Sequence, residues 1–193
     1  MRPGVFLDRD GTINKEIGYL HEIEKLSLIP GAAHAIKRLN DHHIPVICVS
    51  NQSGVARGLF TVECVHMVHK RLDELLAVDG ARLDGIYFCP HHPTKGEYPY
   101  LMDCECRKPQ TGMLKKAASD FDIDLHHSYL IGDRISDIQT AQNANLKAIL
   151  VLTGYGQKEL ETLDQMAHYK PDLVCQDIVA AIDWILKQLK HRS

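Results

Sequence analysis

An α/β architecture, with a doubly wound and mostly parallel sheet, follows from three features of the sequence. Short apolar runs rich in β-branched residues alternate along the chain with stretches of helical period. The runs are continuous rather than alternating, which predicts strands buried on both faces. Polar motifs stand at or just past the ends of several runs, where open parallel sheets bind ligands.

The elements follow in chain order. The first strand is predicted over Val5–Asp8. Pro30-Gly31 opens a helix to about Asp41, with Ala32, Ala33, Ile36 and Leu39 as its apolar stripe. Pro45–Ser50 (PVICVS) is the second strand. Thr61 caps the helix that runs to about Val78, and Glu63 in its first turn suits the positive end of the dipole. Gly85–Cys89 is the third strand, and Thr111 is expected to cap a helix to about Asp122. Ser128–Gly132, Lys147–Leu152 and Asp172–Cys175 complete the strands. Helices are predicted over Ser136–Asn143 and Gln157–Met166. The last is capped by Asp177, with Ile178, Ala181, Ile182, Ile185 and Leu189 at helical spacing.

The length of 193 residues suits one domain over 1–193 with its own core. Apolar residues make up 45% and charged residues 24%, the balance of a soluble globular protein. A formal net charge of −3 implies no surface for a polyanion, so no nucleic-acid partner is expected. No secretory signal is evident, and no run approaches the ~18 apolar residues of a spanning helix. The expectation is a cytoplasmic monomer that binds no membrane. Of six cysteines, Cys89, Cys104 and Cys106 are grouped, whereas Cys48, Cys64 and Cys175 lie apart in apolar settings. In a reducing compartment the group reads as metal ligands and the others as buried thiols.

Asp8 and Asp10 end the first strand with only Arg9 between them, an arrangement that raises the energy of both carboxylates. Alone it would pass for a solvated Asp-Gly turn. It has company: Ser50-Asn51-Gln52-Ser53-Gly54 ends the second strand, and Gly132-Asp133-Arg134-Ile135-Ser136-Asp137 follows the fourth. Arg107-Lys108-Pro109 precedes a helix. In this order, "DRDGT", "SNQSG", "RKP" and "GDRISD" resemble the four motifs of the haloacid dehalogenase-type phosphatases, a Rossmann-like fold. The resemblance implies an Asp8 nucleophile that forms an aspartyl-phosphate. It implies Asp10 as general acid, then general base. Ser50 and the backbone N–H of Asn51 would bond the phosphoryl oxygens, and Lys108 would neutralise charge. Magnesium would be held by Asp8, Asp133 and the Asp10 backbone carbonyl. Gly11 allows close backbone approach. Asp137 reads either as support for this group or as a cap on its own helix.

Cys89-Pro90-His91, twelve residues, then Cys104-Glu105-Cys106 give the ligand types of a closed tetrahedral zinc site. Thiolates suit zinc and disfavour magnesium, so two metals should sort to two sites. This zinc would brace a proline-rich loop at about 89–106 that delivers Arg107 and Lys108. His92 is an alternative nitrogen ligand; the family spacing favours His91. His42, His43, His126 and His127 read as surface residues.

Asp8 to Pro45 is too short to hold a separate cap domain, so the site should be roofed by loops, among them Lys15–Leu28 and Ser53–Phe60. "FLDRDGTINKEIGYL", "SNQSGVARG", the zinc loop and "CRKP" together resemble the D-glycero-D-manno-heptose 1,7-bisphosphate 7-phosphatase family, which serves lipopolysaccharide-core heptose synthesis. The resemblance implies a phosphorylated sugar as substrate, with Gln52 and Ser53 near it. It implies that Arg107 recognises the second phosphate or sugar end, and that the Glu16–Tyr19 loop touches the sugar. Arg134 stands where a lysine is common in that family and keeps the charge. Histidinol-phosphate phosphatase is the alternative, sharing the "DRDGT" start and zinc loop. A nucleic-acid end phosphatase and a catalytically silent zinc-braced binding module are more distant readings.

Overall fold

Strand-forming runs and helical stripes meet here as a single six-stranded parallel sheet. The computed structural model describes residues 1–163, 165–166 and 168–190. The strands are β1 (Val5–Leu7), β2 (Val46–Asn51), β3 (Gly85–Cys89), β4 (Tyr129–Gly132), β5 (Lys147–Val151) and β6 (Leu173–Cys175). They lie in the order β3-β2-β1-β4-β5-β6, all parallel. The helices are α1 (Ala32–Asp41), α2 (Val62–Val78), α3 (Gly112–Phe121), α4 (Ile135–Asn143), α5 (Gly156–Leu163) and α6 (Ile178–Lys190).

Strand pleat sorts the core into two layers. Val5 and Leu7 of β1 point to one face and Phe6 to the other. The first face is covered by apolar residues of α1, α2 and α6, such as Ile36, Leu72 and Ile182. The second is covered by Leu114 of α3, Ile138 of α4 and Leu163 of α5. Each such side chain is worth about 1.5–3 kcal/mol when removed from water. Burial on both faces holds for β1, β2, β4 and most of β5, but fails for the edges: β3 and β6 are mostly half-buried. An edge strand has a neighbour on one side only.

Chain order reverses between β1 and β4, which leaves a crevice at their carboxyl ends. Thr61 caps α2 through the main-chain N–H of Cys64 (3.3 Å), and Asp177 caps α6 through that of Ala180 (3.0 Å). Thr111 does not cap α3 with its side chain. Its φ/ψ of −99°/4° is not extended, and the N–H of Gly112 is taken by the carbonyl of Glu105 (2.8 Å). The predicted helix over Gln157–Met166 ends at Leu163, and residue 164 lies outside the described residues. Cys48 is buried as expected, while Cys64 and Cys175 are only half-buried. His42, His43, His126 and His127 are exposed. Among the described residues no helix is long and apolar enough to cross a membrane.

Candidate functional site

The ladder of β1 ends where the first carboxylate begins. Asp8 donates its main-chain N–H to Ile131 of β4 (2.9 Å), after which the chain turns, with Ile13 and Asn14 N–H both bonded to the Arg9 carbonyl (2.9 and 3.1 Å). Gly11 in this turn has φ of +81°, and a Cβ there would lie 2.1 Å from Asp133 Oδ2. Only glycine permits both the dihedral and the approach of the β1 and β4 loops.

Lys108 occupies the centre of the crevice. Its ammonium lies 2.8 Å from Asp8 Oδ1, 2.5 Å from Asp137 Oδ1 and 2.9 Å from the Val49 carbonyl. The ammonium thus donates to Asp8 and Val49 and forms a close ion pair with Asp137. Burial opposes the charged lysine, but Asp137 and then Asp8 outweigh it and raise its pKa. Asp137 also accepts the main-chain N–H of Arg134 on Oδ2 (3.1 Å). It therefore does both things the sequence left open: it supports Lys108 and caps α4.

Asp8, Asp133 and Asp137 are buried, with ligand atoms within 4.8 Å of one another. One lysine cannot balance three carboxylates. Burial, opposed by Lys108 and assisted by Asp137, pushes Asp8 up to about 6. Burial, then the charges of Asp8 and Asp137, pushes Asp133 up to about 8. Asp133 Oδ2 accepts the N–H of Tyr155 (2.8 Å), while its buried Oδ1 has no partner. An orphaned carboxylate oxygen in an all-oxygen, anionic cradle fits a hard divalent cation such as magnesium.

Asp10 lies beside this group under different control. Burial alone would raise its pKa; the charge and hydrogen bonds of Arg9, with those of Asn14 and Gln52, hold it below the usual carboxylate value instead. Arg9 is wholly buried and reaches Asp10 Oδ2 at 2.8 Å. Gln52 donates to both Asp10 Oδ2 (3.0 Å) and Ser50 Oγ (2.8 Å), tying the β1 and β2 motifs together. The Asn51 side chain forms a reciprocal pair with the Lys108 backbone (3.0 and 3.1 Å). That amide clamps the lysine loop against the end of β2.

A cavity of ≈ 390 Å³ opens over these groups. Its lining includes every residue placed at the substrate by the sequence: Asp8, Asp10, Glu16, Tyr19, Ser50, Asn51, Gln52, Ser53, Arg107 and Lys108. It also includes Arg134, noted in the sequence for keeping a family lysine's charge, and two residues to which the sequence assigned no role, Arg57 and Tyr155. The Arg134 guanidinium stacks 3.8 Å from the Tyr155 ring and lies 3.9 Å from Glu16 Oε2. Tyr155 follows the end of β5, so the strand-end rule could have found it.

Cys89, His91, Cys104 and Cys106 also converge, with ligand atoms within 4.8 Å of one another. Their sulfurs are 3.0–3.5 Å apart and His91 Nδ1 lies 3.3 Å from Cys106 Sγ. No pair approaches the ~2.05 Å of a disulfide. A tetrahedron with Zn–S bonds of about 2.3 Å sets its sulfurs about 3.8 Å apart; these sulfurs lie closer than that, and it is the donor set, three thiols and an imidazole, that fits zinc. His92 stands outside the cluster, its Nε2 3.2 Å from Arg57 Nη2. Arg107, next to Cys106, donates to the His91 carbonyl (3.1 Å), which ties the cluster to the cavity wall.

Comparison with known proteins places this architecture among relatives. A family model described as "HAD-hyrolase-like" matches residues 105–181. A D-glycero-D-manno-heptose-1,7-bisphosphate 7-phosphatase from Thermosynechococcus vestitus is 48% identical over 195 residues, covering 99% of each chain. The D-glycero-beta-D-manno-heptose-1,7-bisphosphate 7-phosphatase of Yersinia pestis is 42% identical, over 97% of this chain and 91% of the relative. Among solved structures, the D,D-heptose 1,7-bisphosphate phosphatase from B. bronchiseptica, complexed with magnesium and phosphate, matches with a TM-score of 0.84. Its identity is 34%, over 97% of this chain and 99% of that one.

Proposed function

The chain belongs to the D-glycero-D-manno-heptose-1,7-bisphosphate 7-phosphatase family of haloacid dehalogenase-type hydrolases, and we propose that it removes the 7-phosphate of D-glycero-D-manno-heptose 1,7-bisphosphate. The reaction belongs to the synthesis of nucleotide-activated heptose for the lipopolysaccharide core, carried out in the cytoplasm by a single-domain monomer. The relatives compared above lend no support to the histidinol-phosphate alternative.

One observation carries the reading. Lys108 joins Asp8 to Asp137 beside the unpartnered Oδ1 of Asp133, at the crevice where β1 and β4 diverge. Uncatalysed phosphate-monoester hydrolysis is so slow that rate factors of up to about 10²¹ are required. Positioning and charge stabilisation must supply most of that.

In this mechanism Asp8 attacks phosphorus, forming its own P–O bond as the bond to the sugar C7 oxygen breaks. Asp10 gives the leaving oxygen its proton. The arriving phosphoryl dianion raises the proton affinity of Asp10 against the hold of Arg9. A water then attacks the aspartyl-phosphate, Asp10 takes the water's proton, and Asp8 is restored. Ser50 Oγ and the Asn51 N–H hold the phosphoryl oxygens, and Lys108 offsets their charge. Magnesium, which Asp8, Asp133 and the Asp10 carbonyl would hold, supplies the further positive charge that lets two anions approach. Zinc on Cys89, His91, Cys104 and Cys106 would brace the loop carrying Arg107 and Lys108. Glu16, Tyr19, Gln52, Ser53 and Arg107 contact the sugar and its second phosphate.

Phosphate release with magnesium, measured on both anomers of the heptose bisphosphate, a panel of sugar bisphosphates and histidinol phosphate, tests this. The heptose bisphosphate is expected to have the highest kcat/KM, and a higher value on histidinol phosphate overturns the assignment. Asp8→Asn is expected to be inactive; full activity would overturn the aspartyl-phosphate.

A further inference from the structure

Arg57 and His92 lie on different loops, and their facing atoms are both donors. His92 Nδ1 accepts the main-chain N–H groups of Thr94 (3.2 Å) and Lys95 (3.0 Å). The neutral ring therefore carries its proton on Nε2. That nitrogen faces Arg57 Nη2 at 3.2 Å, and a guanidinium only donates. Arg57 Nε is buried without a partner. Two donors held this close, with a third unpartnered beside them, leave hydrogen-bonding capacity that an acceptor would satisfy.

The backbone keeps the two loops together. Ala56, next to Arg57, donates to the Pro90 carbonyl (3.2 Å) and accepts from the N–H of Glu97 (3.3 Å). Gly96 lies so near that a Cβ there would meet the Ala56 carbonyl oxygen at 1.8 Å. His92 follows His91 of the cysteine-histidine cluster, and Arg107 follows Cys106. Arg57 and Arg107 line the same cavity as the catalytic aspartates. Among the described residues, the ion pairs of that cavity use Arg9, Lys108 and Arg134, and none uses Arg57 or Arg107.

From this juxtaposition we infer that Arg57, whose guanidinium faces the Nε2–H of His92 instead of an acceptor, binds the non-reacting phosphate of the substrate beside Arg107, making Arg57 a determinant of bisphosphate over monophosphate specificity. The inference rests on the bisphosphatase reading and adds residues to it. Phosphate oxygens supply the acceptors that Arg57 lacks, and a fork-shaped guanidinium suits phosphate. Anchoring at this wall also places the second phosphate on the zinc-braced loop, away from the carboxylates of the reaction centre.

The test compares kcat/KM on the heptose bisphosphate with kcat/KM on para-nitrophenyl phosphate, which has no second phosphate. Wild type, Arg57→Gln, Arg57→Lys and His92→Gln are measured, with thermal melts to check folding. The ratio of the two values is expected to fall about 10- to 100-fold in Arg57→Gln, mainly through KM on the bisphosphate. Arg57→Lys and His92→Gln should fall by less. An unchanged ratio in Arg57→Gln and His92→Gln, with the wild type preferring the bisphosphate, overturns this inference and leaves the bisphosphatase reading intact. Equal losses on both substrates also overturn it, because they give Arg57 a structural role. A wild type with no preference for the bisphosphate overturns the underlying reading, and this one with it.

Discussion

Replacing Asp133 by asparagine is expected to stabilise the magnesium-free protein while abolishing its activity. Asp133 is wholly buried, lies among Asp8 and Asp137, and has one oxygen without a partner. Its pKa is pushed from 3.8 up to about 8, first by burial and then by those two carboxylates. A folded-state pKa above the unfolded one means that full stability is present in acid, below 3.8, and is lost as pH rises through about 8. At ~1.36 kcal/mol per pKa unit, and with the cost shared with Asp8, the penalty at pH 7 is about 2–4 kcal/mol. Asparagine carries no charge and keeps an oxygen for the Tyr155 N–H. A gain of that size corresponds to a rise of about 4–16 °C in Tm for a chain of this length. The assay is thermal unfolding in magnesium-free buffer, from pH 5 to 8, for both proteins. The variant's advantage should grow with pH and be smallest at pH 5. Added magnesium should raise the wild-type Tm and leave that of Asp133→Asn unmoved. A variant that melts at or below the wild type at pH 7 without magnesium would refute the reasoning.

Three further outcomes are expected. Lys108→Met leaves Asp8 and Asp137 buried without their cation, which should destabilise the fold by about 3–5 kcal/mol as well as remove activity; denaturant melts at pH 7 check this, and an unchanged midpoint counts against it. Cys104→Ser should lose zinc by atomic emission and lower both Tm and kcat, since the loop bearing Arg107 and Lys108 loosens; unaltered metal content would contradict it. His69 is 6% exposed, and burial, then the Arg9 charge, depresses its pKa to about 3. Its contribution to stability is thus complete above the unfolded value of 6.5 and lost as pH falls toward about 3. His69→Phe should flatten the loss of stability between pH 6.5 and 4 by up to about 1.4 kcal/mol per pH unit. An identical slope in wild type and variant would show that other groups govern acid unfolding.

The fold, and the convergence of the polar motifs at one edge of its sheet, were legible because they depend on local pattern. Continuous apolar runs gave β1 to β6 to within a residue or two, since hydrophobic periodicity is a property of neighbours in sequence. The strand-end rule collected Asp8, Ser50 and Asp133 because a parallel sheet aligns its carboxyl ends whatever the loops do. The grouping of Cys89, Cys104 and Cys106 with a histidine was readable from ligand type and spacing, and the family pattern chose His91 over His92. Failures arose where a local signal met a distant competitor. Thr111 is a good capping residue, but its turn is shaped by the bond between Gly112 and Glu105. The burial rule overreached at β3 and β6 because it describes the middle of a sheet and not its edges.

Residue types, their order and their spacing thus determined the doubly wound sheet, the aspartates gathered at its carboxyl edge and the grouping of Cys89, His91, Cys104 and Cys106. Partner choice needed three dimensions. The family resemblance already set Lys108 beside Asp8, but nothing in the sequence says that Lys108 also meets Asp137, or that Asn51 clamps the lysine loop. Nor does it reveal that Arg9 draws Asp10 below its ordinary pKa, or that His92 leaves the cysteines to face Arg57. The physical reason is range. Helix and strand patterns are set by contacts a few residues apart, whereas hydrogen bonds and ion pairs act over about 3 Å and depend on which loops the packed core brings within that distance.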